Sequence, residues 1–512
     1  MTRTVTTGRR AFLFGATGAL GLTQAASTQS VAPERILSVS PHAFGAVGDG
    51  RTDDTEAVQR AIDAIAATGG VVLFPPGRYR ITSTLRVSSL QPVSLLGQMF
   101  GQIYDAGGLA SAILVGADME YLIEYAAPNQ SQRSAHGAGT IAGLAFVDPT
   151  SPDNAAPGRH RLTAALHLRD FAMGLVESCT FHWIRGSAIL ADFTVMSTIR
   201  GCRVRYTGDP AEPSRSAIVV GQSARFPSQS FLVDDTRVEV CYSREYISVD
   251  ESCSDITIRS CGFEAATVEY PESSNTFVDI ACQRYLIESC TFNRTDAVAV
   301  TMRGRGKMIG CHFASGGRPA PSLRIAGDRC MVSNSIFEDN SPSHSIDCSG
   351  TQNQILGNIF YSSGGVRMSG RGNVFALNQV SNPTMTGGGW WLELGDHCVA
   401  EGNRFDGNGW VVKVGGIVTR NSDRISNNTF DRWSGRPCIG RESRASSINA
   451  NSFTDVTQPY TETASAARPS AGPRRVNFDG NGDDQSLREA IRLAHERIEQ
   501  LERMAGMHTR RG

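Results

Sequence analysis

The sequence predicts an all-β chain, a single-stranded parallel β-helix of about a dozen coils. Three observations carry this. A six-residue frame recurs at a spacing of about 20 to 29 residues from Cys261 onward, a period that belongs to solenoids. Its apolar positions show no helical periodicity, so each repeat is a set of short strands joined by turns. The 53 glycines of the 512 residues are about 10 % against a usual ~7 %, and charged residues are 19 % against about 25 %, a mix suited to many tight turns. The net charge is −1, so no basic field marks the chain as a nucleic-acid binder. No apolar run reaches the ~18 residues that span a bilayer.

Residues 1–30 read as an address. Thr7-Gly8-Arg9-Arg10-Ala11-Phe12-Leu13-Phe14 leads into a Gly/Ala-rich stretch and the small residues of Gln24-Ala25-Ala26, the pattern of a twin-arginine signal peptide. Periplasmic or extracellular localisation is expected. That route exports folded proteins, so the fold should form without disulfides, and the 12 cysteines need another explanation.

The repeat supplies one. Val176-Glu177-Ser178-Cys179-Thr180-Phe181 recurs around Cys202, Cys261, Cys290 and Cys311. The frame continues with asparagine in the cysteine slot at Asn358, Asn378, Asn403, Asn428 and Asn451. Ser335 is a transitional rung, and a further coil passes through Thr236-Arg237-Val238. An apolar residue stands three before the slot and another two after it. Stacked coils form parallel sheets buried on the inner face. Asparagine repeated at one turn can hydrogen-bond along the stack, and cysteine there acts as a small buried hydrophobe. Metal binding is disfavoured, since no CxxC pair or close histidine spacing occurs.

Residues 31–100 open with Phe44-Gly45-Ala46-Val47-Gly48-Asp49-Gly50-Arg51-Thr52-Asp53-Asp54-Thr55, then a helix from about Glu56 to Ala67. Val58, Ala61, Ile62 and Ile65 share one face of it, with Asp54 or Asp53 placed as cap. Gly69-Gly70-Val71-Val72-Leu73-Phe74-Pro75-Pro76-Gly77-Arg78-Tyr79 follows. This opening resembles that of pectate-lyase-like (rhamnogalacturonase/epimerase-like) right-handed parallel β-helix proteins, and the coil ladder extends the resemblance to about residue 460. It implies a cap helix sealing a right-handed β-helix over residues 101–460. It does not fix chemistry, which lives in sites grafted on the fold. Of the polygalacturonase pattern only Asp234-Asp235 has a counterpart. No calcium-type aspartate cluster stands out, so no cofactor or metal is expected.

A second strand in each repeat places one residue outward between two inward apolar ones. Read down the stack, that column is Ser248, Asp279, Ala299, Arg324, Asp347, Arg367, Glu393 and Lys413. Adjacent rungs lie ~4.8 Å apart, so the column is a charged stripe of the kind that could line a polysaccharide groove. Asp347 and Glu393, two rungs apart at about 9.6 Å, suit a glycosidase pair, which needs about 6.5 to 9.5 Å for inversion. Arg367 stands between them, and these three are the expected catalytic residues. Arg324, Lys413, Asp279, Trp391 and Trp410 are the expected substrate-binding ones. A lyase acting on a uronate needs a cation against the carboxylate and a base beside it, which Arg324, Arg367 and Lys413 could supply. Alternating charges on neighbouring strands also stabilise a solvated sheet face, and core packing accounts for the tryptophans equally well. His167, His182 and His312 have no evident partner and read as ordinary residues.

Residues 461–484 read as a linker. Within 485–506, Leu487, Ile491, Ala494, Ile498 and Leu501 form the seam of a short coiled coil, and the resemblance to tailspike-type β-helices suggests a homotrimer. Two functions remain open: an exported lyase or glycoside hydrolase on an acidic, uronate-containing polysaccharide, or a non-catalytic polysaccharide-binding or assembly protein.

Overall fold

The computed structural model describes residues 38–462, apart from 99–109, 129–135, 266–275 and shorter stretches that include 409–411. The signal segment 1–30, the linker from 463 and the helix expected in 485–506 lie outside the described residues. Among the described residues, no helix is long and apolar enough to cross a membrane.

The chain is a parallel β-helix whose coils each carry strands on three faces. On the front face, Val300–Met302, Leu323–Ile325 and His344–Cys348 lie side by side in parallel. On the second face, Gly306–Ile309 pairs with Met331–Ser333. On the third, His312–Ala314 pairs with Ile336–Phe337. Front and second faces share a sheet of 32 strands, and the third forms a separate sheet of 16. Sixteen rungs exceed the dozen read from the cysteine and asparagine frame because the early coils carry neither residue. Leu144 fills the slot where Ile141 registers with Val176 and Phe146 with Phe181.

Inward phenylalanines stack at the rung spacing along the third face. Phe292 and Phe313 are 4.8 Å apart by ring centroid, Phe313 and Phe337 4.6 Å, and Phe337 and Phe360 4.9 Å. All are buried in one continuous core.

The turn between second and third faces explains the repeating motif. The residue before the slot is left-handed in coil after coil, with φ of 54° at Ser289, 64° at Gly310, 63° at Gly357 and 65° at Gly402. The slot side chain then accepts from the backbone of the coil before it. Ser335 N donates to Asn358 Oδ1 at 2.9 Å, Asn358 N to Asn378 at 2.8 Å, Asn378 N to Asn403 at 2.9 Å, Asn403 N to Asn428 at 3.0 Å and Asn428 N to Asn451 at 2.9 Å. Each Asn Nδ2 adds a bond to a carbonyl one coil back, as Asn403 does to Phe375 O at 2.9 Å. Cysteine in the slot also donates, Cys290 Sγ reaching Ile258 O and Glu288 O.

A second column, not anticipated from the sequence, runs along the turn between front and second faces. Cys330 N donates to Asn353 Oδ1, Asn353 N to Asn373 Oδ1, both at 2.7 Å, and Cys398 N to Asp423 Oδ1 at 2.8 Å. All twelve cysteines are free and buried. Burial pushes the thiols of Cys241, Cys282, Cys348 and Cys438 up to about 12. The same burial raises Asp423 from 3.8 to about 6, against the pull of its backbone donors.

The helix (α1, Thr55–Ala66) buries Val58, Ala61, Ile62 and Ile65 completely against the strands Ser38–Val39, Gly70–Leu73 and Leu85–Val87. Of the two aspartates expected as cap, Asp53 takes the role. Asp54 makes no side-chain cap; instead its buried carboxylate accepts from Val47 N at 2.6 Å and Gly48 N at 3.1 Å. Asp53 Oδ1 takes the cap role toward Thr55 N at 3.1 Å. The acidic pair thus ties the glycine loop to the helix start.

Three outcomes are expected. Asn403→Ala orphans the Asn378 N–H and should lower unfolding free energy by about 2 to 4 kcal/mol in denaturant titration, since each buried unsatisfied group costs about 1–3 kcal/mol; Cys290→Ser, a residue type the column already holds at Ser335, should cost less. Thiol titration of the native protein should find few reactive groups, and denaturation without reductant should expose all twelve. For Asp423 the folded pKa lies above the unfolded one, so its stabilisation is full below pH ~4 and is lost as pH rises through about 6. Relative to Asp423→Asn, unfolding free energy should fall by about 3 kcal/mol across that window, at about 1.36 kcal/mol per unit; a pH-independent difference would refute the assignment.

Candidate functional site

The front face exposes one column in continuous register. It begins with Arg86, Glu124 and His167, passes Leu190, Val219 and Ser248, and continues through Asp279, Thr301, Arg324, Asp347, Arg367, Glu393 and Val418. Arg324, Asp347, Arg367 and Glu393 are therefore brought together as consecutive rungs. Two members of the expected stripe are displaced. Thr301 occupies the rung given to Ala299, and Val418 the rung given to Lys413, which is exposed ahead of the strand Gly415–Thr419. Both slips have one cause: period-2 alternation offers more than one apolar-x-apolar frame, and only pairing chooses among them.

Trp391 is also corrected. It is fully buried, packed edge-on against Phe360 and Phe405, and offers no face to a sugar. Its neighbour Trp390 lies outward, its indole spread over Gly415 and Gly440, where a Cβ would stand 2.2 and 2.3 Å from ring atoms. Trp410 lies outside the described residues.

At the C-terminal end of the column Glu393 is a hub. Arg367 Nε lies 3.4 Å away, Arg420 Nη2 3.3 Å and His344 Nε2 3.6 Å. His344 first, then the two guanidiniums, hold its carboxyl below the usual range against the cost of burial. A carboxylate so held favours its ionised form and donates a proton less readily. Asp279 is opposite in character: burial raises it although Arg303 sits 2.7 Å away.

A second cluster lies at the other end of the same column, and the sequence reading passed over it. His167 sits in the 12-residue strand Arg161–Ala172, between Tyr121–Tyr125 and the 11-residue Arg185–Val195. Its side chain is only 4 % exposed. Nε2 is 3.0 Å from Asp192 Oδ2 and Nδ1 3.5 Å from Glu124 Oε1. Glu124 also faces Arg169 at 3.3 Å and Arg86 at 3.7 Å. The Tyr121 ring lies over the imidazole with centroids 4.1 Å apart. Burial, then the charges of Glu120, Glu124 and Asp192, push the Tyr121 phenol up to about 12, so it stays a proton donor at neutral pH. Two residues before it, Met119 lines a cavity of about 250 Å³ with Arg161, Thr163, Arg185, Asp209 and Arg215. Arg185 Nε pairs with Asp209 at 3.0 Å and Arg215 donates to Leu162 O.

Buried ionisable groups of opposite sign, a stacked phenol and an arginine-lined cavity are what proton transfer beside an anionic group requires. The available signal was His167 and Arg169 alternating outward from Leu166 and Leu168 in an apolar run. His182 does not join the cluster; it lies on the third face beside Trp183, and burial, then Arg205 and Arg203, lowers it to about 3.

The fold is that of a parallel β-helix, and its opening motif is similar to that of pectate-lyase-like proteins. Residues 38–109 match the family described as Rhamnogalacturonase A/epimerase, pectate lyase-like. A 40-residue segment, 8 % of the chain, is 60 % identical to Alginate lyase 7 of Azotobacter vinelandii. A 100-residue segment, 18 % of the chain, is 36 % identical to a Glucan 1,3-beta-glucosidase of Cochliobolus carbonum. These matches span 5 % and 12 % of the relatives' own lengths. Among solved structures, ORF18 of Geobacillus virus E2 superposes with a TM-score of 0.55 at 16 % identity, over 64 % of this chain and 62 % of that one, a likeness of fold.

Proposed function

We propose that the protein is a carbohydrate-active enzyme that acts on an acidic, uronate-containing polysaccharide by proton abstraction beside the sugar carboxylate, as a lyase or epimerase. The observation that carries this is the Tyr121–His167–Asp192 cluster, set further along the same strands that carry Arg161 and Arg185 of the cavity. A guanidinium at the cluster, Arg86 or Arg169 beside Glu124, draws charge through the sugar carboxylate from the adjacent carbon and makes its proton removable. The His167–Asp192 pair takes that proton. In elimination, Tyr121 gives its proton to the departing glycosidic oxygen as the carbon–oxygen bond breaks and a carbon–carbon double bond forms. In epimerisation, the phenol returns a proton to the opposite side of the carbon. The polymer lies along the front face, with Trp390 as a stacking surface and Arg324, Asp347 and Arg367 as polar contacts. The short matches to an alginate lyase and to a Mannuronan C5-epimerase of Azotobacter vinelandii, 58 % identical over 41 residues, support the substrate class. We also propose export through the twin-arginine segment and assembly as a homotrimer.

A second reading, a non-catalytic polysaccharide-binding or assembly protein, is favoured by the pairing of Glu393 with Arg367 and Arg420, as a structural ladder would have it. An assay panel separates the two. Uronate polymers are tested for ultraviolet-absorbing unsaturated product, for solvent deuterium entering the sugar, and for new reducing ends. Tyr121→Phe and Asp192→Asn should each lower turnover at least ~10²-fold, the lower range for removing a general acid or base, with melting temperature nearly unchanged. Asp347→Asn, Arg367→Ala and Glu393→Gln should leave turnover within a few-fold. The reverse pattern would move the centre to the C-terminal rungs, and inactivity on every polymer would leave the binding protein.

A further inference from the structure

The turns that carry the chain from the front face to the second face stack as a column of glycines. A Cβ on Gly327 would stand 2.2 Å from Gly304 O, one on Gly350 2.0 Å from Gly327 O, and one on Gly370 1.9 Å from Gly350 O. No side chain fits between successive turns, so the edge of the front face is recessed there and the flanking residues become walls. The result is a hollow of about 450 Å³, floored by Gly304 and Gly327 and walled by Arg303, Arg305, Arg329, Asp328, Thr351 and Gln352.

Its charges do not cancel. Arg303 is committed to Asp279, 2.7 Å away. Asp328 accepts from Thr351 N at 2.6 Å and Thr351 Oγ1 at 2.9 Å, and those bonds hold it below its ordinary value. Arg329 Nε donates to Gln352 Oε1 at 2.8 Å. Among the described residues, Arg305 and Arg329 form no ion pair, although the Arg329 charge also favours the neighbouring Asp328 carboxylate. Two guanidiniums thus face a cavity whose single carboxylate is already engaged, next to amide and hydroxyl groups suited to a sugar. From His167 to Thr301 the column counts five rungs, about 24 Å at ~4.8 Å each, so the hollow lies well away from the Tyr121–His167 centre on the margin of the same face.

We propose that this hollow is a remote anion-binding subsite, which holds a carboxylate or sulfate of a polysaccharide chain extending along the front face. The choice of a saccharide as ligand rests on the proposed function, whereas the anion site does not. The test is affinity electrophoresis of the full-length protein in polygalacturonate, dextran sulfate and neutral dextran, with calorimetry on digalacturonate. Arg305→Ser with Arg329→Ser should weaken binding to an anionic polymer about 10-fold, the scale of losing one charge-assisted contact. Binding to the disaccharide should be unchanged, and Arg305→Lys should restore part of the affinity. Loss confined to polygalacturonate assigns the hollow to carboxylates, and loss confined to dextran sulfate assigns it to sulfates. Equal affinity of variant and parent for both anionic polymers overturns the proposal, as does an equal loss toward neutral dextran. Tyr121→Phe should leave these affinities intact, so a failure of the catalytic assignment stays distinguishable from a failure here.

Discussion

Each coil depends on its neighbour to satisfy its backbone. Within a parallel β-helix no strand pairs inside its own coil, and every N–H and C=O along the stack must find a partner one rung away. At the turns, where ladder bonding would lapse, the slot side chain takes over, and Asn358, Asn378, Asn403 and Asn428 each close a bond to the preceding coil's backbone. The left-handed residue ahead of the slot, the phenylalanine stack and the common register of the front face follow from repeating that turn without drift. A face with residues at a fixed pitch results, and a polymer of repeating units is the kind of ligand such a face can match.

The face is uneven in character. In its middle, Leu190, Val219 and Ser248 carry no charge, while both ends gather ionisable groups. The ends differ physically. Glu393 is surrounded by His344, Arg367 and Arg420, which favour its ionised form. At Tyr121 and His167, burial and neighbouring carboxylates hold a phenol protonated next to an imidazole bridged by two acids. The first arrangement is stable because its charges are satisfied; the second retains groups able to exchange protons with a ligand.

Legibility in the sequence followed the repeat. Where cysteine or asparagine marks the slot, from Cys179 to Asn451, the coils, their inward residues and most of the outward column could be read, and Arg324, Asp347, Arg367 and Glu393 fall in register. Glu124 belongs to the coil where Leu144 fills the slot, and His167 and Asp192 lie in strands of 12 and 11 residues that hide the apolar-x-apolar frame, so these three, tens of residues apart, could not be seen as neighbours. Trp391 failed for a smaller reason: Trp391 and Leu392 both turn inward, a local break in alternation that leaves Trp390 outside. Asp53 and Asp54 were correctly placed at the helix start, but which of two adjacent carboxylates caps it depends on the path of the Gly45–Gly50 loop.

The asparagine column is also directional. In each rung the acceptor belongs to the later coil and the backbone donor to the earlier one, so a coil's turn is completed only when the next coil has been laid upon it. A chain emerging from the ribosome therefore always carries one unfinished turn at its growing end, and synthesis itself supplies the missing acceptor. Shortening the stack from its C-terminal side uncovers such a backbone donor at whichever rung becomes last, whereas losing a coil from the other side uncovers an asparagine Nδ2 in place of a backbone N–H. The molecule has a vectorial order of completion written into its amides.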